Sequence, residues 1–122
     1  MSLLGGTSFN LLEQSMDAVW TKQLVTMQNL ANAETPGYKA KYVDFETVFK
    51  RLIGSNDDRL YPQIQATVKE DTATSMREDG NNVDPEKENL ELLRAQIQFD
   101  YLQSKMTYRF NSLEHVISEG RK

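Results

Sequence analysis

The chain has 122 residues, of which 39% are hydrophobic, and its mean hydropathy of -0.61 is low for a domain that must enclose a core of its own. A formal charge of -4 and the lack of a lysine and arginine cluster exclude the basic surface that nucleic-acid binding requires. The sequence contains no cysteine, which excludes a disulfide framework and a thiolate metal site.

The first residues do not have the pattern of a secretory signal peptide, because they lack a charged n-region and a long apolar h-region. No apolar run reaches the length of about 18 residues that a membrane-spanning helix needs. We therefore predict that the protein does not span a membrane. If it leaves the cytoplasm, it does so by a route other than the general secretory pathway and without a cleaved signal peptide.

Apolar residues recur at helical spacing over residues 8–33 and predict a long first helix. They form two neighbouring rows on the helix surface. The first row contains Phe9, Leu12, Met16, Val19, Met27 and Leu30, and the second contains Trp20, Leu24 and Ala31.

A turn and an extended segment are predicted over residues 34–44. Thr35 precedes a proline and is therefore disfavoured in the helical region of backbone space. Pro36 has the φ that the second position of a turn requires, and Gly37 can adopt positive φ at the third position. These three residues predict a type II turn that ends the first helix.

A short second helix is predicted over residues 45–53. Its apolar residues are Phe45, Val48, Phe49, Leu52 and Ile53, which follow helical spacing. Asp44 is a possible N-cap and Gly54 a stop signal. Residues 54–83 are then polar and predict a loop, in which the alternating segment QIQATVK could form an edge strand.

The final helix is predicted over residues 84–119. It opens with Asp84 as an acidic cap, Pro85 at the first helical position and Glu86 near the positive end of the helix dipole, and Gly120 ends it. This helix also carries two apolar rows. One contains Leu90, Leu93, Ile97, Tyr101 and Tyr108, and the other contains Phe99, Leu102, Met106, Phe110, Leu113 and Ile117.

Residues that could carry catalysis or bind a metal ion are missing. His115 is the single histidine and has no cysteine or second histidine to complete a zinc or di-iron site. The sequence contains no nucleotide-binding or nucleophile-elbow motif. We therefore predict a protein that is not an enzyme, with no catalytic residue, cofactor, metal or small-molecule substrate.

Two apolar rows on each long helix give a broader face than one antiparallel pair can cover. Each Leu, Phe or Met left exposed forfeits about 1.5 to 3 kcal/mol relative to burial. Other chains could cover the second row, or residues 45–53 could fold back as a third helix and close a monomeric bundle. In either case we expect one mainly α domain over residues 1–122. Its two long terminal helices would pack as a coiled-coil-like core, joined by the short helix and an irregular middle segment with at most a minor β element.

The turn carries a family resemblance. The segment NLANAETPGYKAK resembles the N-terminal signature of bacterial flagellar rod, hook and hook-associated axial proteins. The residues that match this signature are Ala31, Asn32, Thr35, Pro36, Gly37 and Tyr38. The short length and the segments YVDFETVF, GNNVDPEKE and FNSLEHVI are similar to the proximal rod subunits of that family.

The resemblance implies a structural subunit of the flagellar basal body, located in the rod in the periplasmic or cell-wall region, that transmits torque. It would be exported by the flagellar type III apparatus and would assemble with copies of itself and other rod proteins around a central export channel. Asn29 and Asn32 would satisfy polar groups at a corner between subunits, while Pro36 and Gly37 redirect the chain outward. The helix residues implied in assembly are Leu12, Met16, Val19, Leu24, Met27, Leu30, Leu93, Ile97, Phe99, Leu102, Met106, Phe110 and Leu113.

A soluble helical adaptor or chaperone is the alternative, in which a groove covers another protein's amphipathic helix. An adaptor is expected to be a well-folded monomer or dimer by itself, whereas a rod subunit is expected to have loosely ordered ends before assembly.

Overall fold

The computed structural model describes residues 6–51 and 59–121. Within them it contains helix α1 (Thr7–Ala31), strand β1 (Lys41–Arg51), strand β2 (Leu60–Glu70) and helix α2 (Pro85–Glu119). The two long helices that periodicity predicts are confirmed, within a few residues at each end. The carboxylate of Asp84 accepts the backbone N–H groups of Glu86 and Lys87, as predicted for the cap of α2.

The two helices pack side by side in opposite directions. The rings of Phe9 and Phe110 lie 5.7 Å apart near the start of α1, and those of Trp20 and Phe99 lie 6.0 Å apart further along. Helices of 25 and 35 residues are about 37 and 52 Å long, so the last turns of α2 extend beyond the start of α1.

The interior of this helix pair is small. Among the described residues, the buried apolar side chains are Ala18, Val25, Ala33, Val83 and Ala95. Ala95 is completely buried, which lets α1 and α2 approach closely. The accessible surface is 8836 Å², whereas a compact monomer of this mass exposes about 6,700 Å². The chain is therefore elongated and leaves much of its apolar surface uncovered.

Strands β1 and β2 form an antiparallel hairpin that lies along α1. Its register runs from Lys41 opposite Glu70 to Arg51 opposite Leu60. The N–H of Asp71 donates to the carbonyl of Ala40 at 2.8 Å, and in an antiparallel sheet every second pair counted from this one is hydrogen-bonded. Pro62 lies opposite Phe49 at a pair of the other kind, where no N–H is needed between the strands. At the helix side, the amide oxygen of Gln14 accepts the N–H of Ile64 at 2.7 Å.

The predicted helix over residues 45–53 is wrong, because its described part lies in β1. Leu52, Ile53 and Gly54 lie outside the described residues. The segment KYVDFETVFKR is rich in aromatic and β-branched residues, which favour a strand when a second strand is available. The apolar residues that matched helical spacing were therefore better explained by pairing with β2.

The predicted fold class is also wrong. β2 lies inside the segment that the sequence assigned to a polar loop, residues 54–83, and it extends the predicted QIQATVK strand at both ends. Two paired strands of 11 residues make the chain a mixture of helix and sheet, rather than a mainly α core with a minor β element. Because the described part of residues 45–53 is not helical, the alternative of a third helix that closes a monomeric bundle is wrong as well.

Candidate functional site

The turn after α1 has the geometry that its sequence predicts. The N–H of Tyr38 donates to the carbonyl of Thr35 at 3.2 Å, and Gly37 has a φ of +72°, as a type II turn requires. Gly80, with a φ of +85°, packs beside it, and a Cβ added there would lie 3.8 Å from the Cα of Gly37. The two glycines let the turn meet the loop that leads into α2.

Asn29 joins α1 to the hairpin. Its side chain is 1% exposed, its Oδ1 accepts the N–H of Lys41 at 2.9 Å and its Nδ2 donates to the carbonyl of Lys41 at 2.7 Å. The carboxamide thus pairs with the outer edge of β1 as a neighbouring strand would. Nδ2 also donates to Glu88 at 3.1 Å and Oδ1 accepts the hydroxyl of Tyr38 at 3.3 Å. One side chain therefore links α1, the turn, β1 and α2.

Asn81 holds the C-terminal end of α1. It is completely buried, and its Nδ2 donates to the carbonyls of Asn32, Ala33 and Thr35 at 2.9 to 3.1 Å. These carbonyls belong to the C-cap and to the turn that follows α1, and Asn81 binds them from the loop before α2. Its Oδ1 accepts the N–H of Val83 at 2.8 Å, so the same side chain also shapes the entry to α2.

Asn82 clamps the open end of the hairpin. Its Oδ1 accepts the N–H of Ala40 at 2.6 Å, and its Nδ2 donates to the carbonyl of Asp71 at 2.8 Å and the hydroxyl of Thr74 at 3.1 Å. It therefore binds both the residue that precedes β1 and the residue that follows β2. We call Asn29, Asn32, Asn81 and Asn82 the asparagine corner.

Asn32 has a more local role. Its Nδ2 donates to the carbonyl of Gln28 at 2.8 Å, and its Oδ1 accepts the hydroxyl of Thr35 at 3.1 Å. The side chain is only partly buried. The hydrogen bonds of Asn29 and Asn32 join segments of one chain, and the role of these side chains at a corner between subunits stays a prediction.

Sequence reasoning did not identify the contributions of Asn81 and Asn82. Both residues belong to the segment GNNVDPEKE, whose similarity to proximal rod subunits does not reveal what these two side chains contact. Two consecutive asparagines directly before a helix cap were a local signal for side chains that bind backbone groups. The partners in α1 and at the hairpin base could not be identified from that signal.

Glu88 brings a charge into the corner. Burial raises the pKa of this half-buried carboxyl, while the hydrogen bond from Asn29 lowers it. Burial and the charges of Glu70 and Glu88 raise the pKa of the Tyr38 hydroxyl. The carboxyl of Glu88 therefore takes up a proton more readily in this polar corner than it would in water.

An exposed apolar row runs along α1. Trp20, Leu24 and Met27 are 43 to 50% exposed, and Ala31 is exposed as well. At 100° per residue these four positions lie on the side of the helix opposite Ala18. We call these four residues the α1 stripe. The other predicted row of α1 is partly buried at Leu12, Met16, Val19 and Leu30.

A second exposed row runs along α2. It contains Leu90, Leu93, Ile97, Tyr101 and Tyr108, which are 48 to 72% exposed, and we call it the α2 stripe. It lies on the side of α2 opposite the buried Ala95. The other predicted row is partly buried at Phe99, Leu102, Met106 and Leu113, whereas Phe110 and Ile117 remain 48 and 53% exposed. Each long helix therefore exposes one of its two apolar rows.

The described residues contain no constellation for catalysis. A cleft of about 350 Å³ lies between the hairpin and the helix pair and is mostly apolar. Its Ser15 hydroxyl donates to the carbonyl of Leu11, and His115 lies on an exposed part of α2. No group of three potential metal ligands is found in the described part of the chain. Among the helices of that part, none is long and apolar enough to cross a membrane.

Comparison with known proteins gives a consistent result. No protein-family model matches the chain. The chain is 36% identical to the flagellar basal body rod protein FlgB of Bacillus subtilis (strain 168), over 99% of this chain and 100% of that protein. It is 27% identical to FlgB of Borrelia hermsii, over 90% of this chain and 95% of that protein. Identity to FlgB of Buchnera aphidicola subsp. Acyrthosiphon pisum (strain APS) is 23%, over 89% and 90% of the two chains.

Proposed function

The chain belongs to the family of the flagellar basal body rod protein FlgB, and from this membership we propose that it forms the proximal rod through its two terminal helices. The resemblance to flagellar axial proteins is thereby confirmed. The protein is a structural subunit of the flagellar basal body rod, assembles with other basal body proteins and is not an enzyme. The alternative of an adaptor or chaperone has no support among these relatives.

Assembly through the terminal helices is supported by the α1 and α2 stripes. Their large side chains are about half exposed, so each gives up roughly half of the about 1.5 to 3 kcal/mol that full burial of an exposed side chain contributes. Natural domains have a net stability of only about 5 to 15 kcal/mol, so covering both stripes is a large stabilisation on that scale. The exposed stripes are the observation that carries the proposal.

Torque transmission is supported by the asparagine corner. Asn29, Asn81 and Asn82 are almost completely buried and bind backbone groups in separate segments. Buried and fully bonded polar groups fix relative positions, because any displacement leaves donors and acceptors unpaired. A force on one helix is thus passed to the hairpin and the other helix. In the assembled rod, the helix pairs would surround the central export channel.

We also propose that the chain reaches the periplasmic and cell-wall part of the rod through the flagellar type III export apparatus, without a cleaved signal peptide. The small buried interior of the described residues supports this route. A chain that buries few large side chains opposes unfolding only weakly, and passage through a narrow export channel requires unfolding.

Replacement of the chromosomal gene tests the proposed function. The variant Ile97→Asp places a charge in the α2 stripe, while Gln96→Asp places the same charge at the adjacent exposed position outside the stripe. We expect Ile97→Asp to abolish rod formation in isolated basal bodies and swimming, and Gln96→Asp to preserve both. Normal rods with Ile97→Asp would overturn the proposal.

A further inference from the structure

With two acidic residues added, the α1 stripe matches the α2 stripe in length. The α1 stripe continues towards the N-terminus through two exposed acidic residues, Glu13 and Asp17, with the same alternating spacing of three and four residues. The extended row runs from position 13 to 31, and the α2 stripe runs from position 90 to 108. Each spans 18 positions, which is about 27 Å of helix.

The two rows also have complementary ends. The α1 row is acidic at its N-terminal end and apolar from Trp20 onwards. The α2 stripe is apolar from Leu90 and is flanked at its C-terminal end by the exposed Lys105, whose ammonium lies 5.4 Å from the centroid of the Tyr101 ring. In an antiparallel arrangement Trp20, Leu24 and Ala31 meet apolar residues of the α2 stripe, and the acidic end of the α1 row lies beside Lys105. A parallel arrangement would place the acidic residues beside Leu90 and Leu93.

We propose that the α1 stripe of one copy packs antiparallel on the α2 stripe of a second copy, with Leu24 opposite Ile97 and Asp17 beside Lys105. This inference rests on the proposed function and specifies which faces of the rod subunit meet. At equal spacing, the same register places Ala31 opposite Leu90, Trp20 opposite Tyr101 and Met27 opposite Arg94, whose guanidinium is paired with Glu91 in its own chain.

The register fixes how neighbouring copies are placed. Within one chain Trp20 is level with Phe99, and between copies it is level with Tyr101. The difference of two residues is a shift of about 3 Å along the helix. Adjacent copies therefore lie side by side in the same orientation. Each copy keeps a free α1 stripe on one side and a free α2 stripe on the other, so the contact is heterologous and propagates.

A two-fold pair through the α2 stripe is disfavoured by charge. Arg94 and Lys105 lie 11 positions apart, which is close to three full turns, so both flank the same edge of the stripe. A symmetric antiparallel pair of α2 helices centred on the stripe would bring these two cations together.

The exposed area fits a subunit with two contacts. The chain exposes 8836 Å², about 2,100 Å² more than a compact monomer of this mass. A standard interface buries about 800 Å² on each partner, so a copy that uses both stripes would cover about 1,600 Å².

The absence of cysteine makes the register measurable by disulfide formation. We expect the doubly substituted chain Leu24→Cys/Ile97→Cys, oxidised at high protein concentration, to form a ladder of dimers, trimers and longer products on a non-reducing gel. The out-of-register control Leu24→Cys/Tyr108→Cys should cross-link roughly tenfold more slowly, because its thiols are not held together. Equal ladders, dimers alone, or no cross-linked product would each overturn the proposed contact.

A charge exchange provides a second measurement on the full chain. Asp17→Lys should weaken self-association in sedimentation experiments, and Asp17→Lys/Lys105→Glu should restore it. Failure of the double variant to recover would contradict the register.

Rod formation by the cysteine variants in cells separates the two proposals. Rods with a different cross-linking pattern would leave the proposed function standing and remove this contact.

Discussion

The side chain of Asn29 forms two hydrogen bonds with the backbone of Lys41, at 2.9 Å to its N–H and 2.7 Å to its carbonyl. The carboxamide of a helix residue thus occupies the place of a third strand beside β1. Apolar contacts alone would allow the hairpin to slide along α1, whereas this directional pair fixes its position.

Loss of this pair should destabilise the protein strongly. We expect Asn29→Ala to lower the free energy of unfolding by about 2 to 4 kcal/mol, because several buried polar groups lose their partner. Asn32→Ala is the matched control and should cost less than about 1 kcal/mol, since its side chain is partly exposed and its contacts are local. Urea unfolding of the two variants measures the difference, and similar losses would contradict the assigned role of Asn29.

The turn at Gly37 should reject residues that avoid positive φ. At the observed φ of +72°, Gly37→Val is expected to cost about 1 to 3 kcal/mol, and Gly37→Asn clearly less. Asparagine tolerates left-handed backbone, whereas a β-branched residue does not. Thermal unfolding of both variants compares them, and an equal loss would show that the backbone here does not depend on positive φ.

Much of this architecture could be predicted from the sequence, but the hairpin could not. The helices follow from long apolar periodicity, and the turn follows from Thr35, Pro36 and Gly37. β1 was mistaken for a helix because Phe45, Val48 and Phe49 satisfy helical spacing, and its partner strand lies in a polar segment. The network of Asn81 joins residues that are 46 to 49 positions apart. A sequence pattern has no information about such contacts.

Protonation of Glu88 should stabilise the fold. Burial raises its pKa in the folded state, so the folded chain binds this proton more tightly than the unfolded chain does. The unfavourable contribution of Glu88 is present at neutral pH and disappears as the pH falls through the raised pKa towards the unfolded value of about 4.3. Glu88→Gln keeps an acceptor for Asn29 and removes the charge. It should therefore be slightly more stable than the parent at neutral pH, by a fraction of a kcal/mol because water still screens this half-buried group.

Urea unfolding over a series of pH values measures the effect of Glu88. The advantage of Glu88→Gln should shrink as the pH is lowered and vanish in acid. A variant that is less stable than the parent at neutral pH would show that the carboxylate charge helps to hold the corner together.

The close approach of the two helices at Ala95 should be sensitive to volume. Ala95 has no exposed surface, and Ala95→Leu is expected to cost about 1 to 3 kcal/mol by forcing α1 and α2 apart. Gln96→Leu adds an apolar side chain at the next, exposed position and should change the stability by less than about 0.5 kcal/mol. Thermal unfolding distinguishes the two variants, and a neutral Ala95→Leu would mean that the helices are not in close contact there.

Chemical labelling of the α2 stripe before and after assembly tests the central claim most directly. A single cysteine at Ile97 should react rapidly with a maleimide in the isolated chain, where Ile97 is 60% exposed, and slowly in purified basal bodies. A cysteine at the exposed Thr72, outside both stripes, is the control for general access of the reagent. We predict protection of position 97 relative to position 72 in the rod. Equal reactivity of position 97 in the free and assembled protein would contradict the claim that assembly covers the stripes.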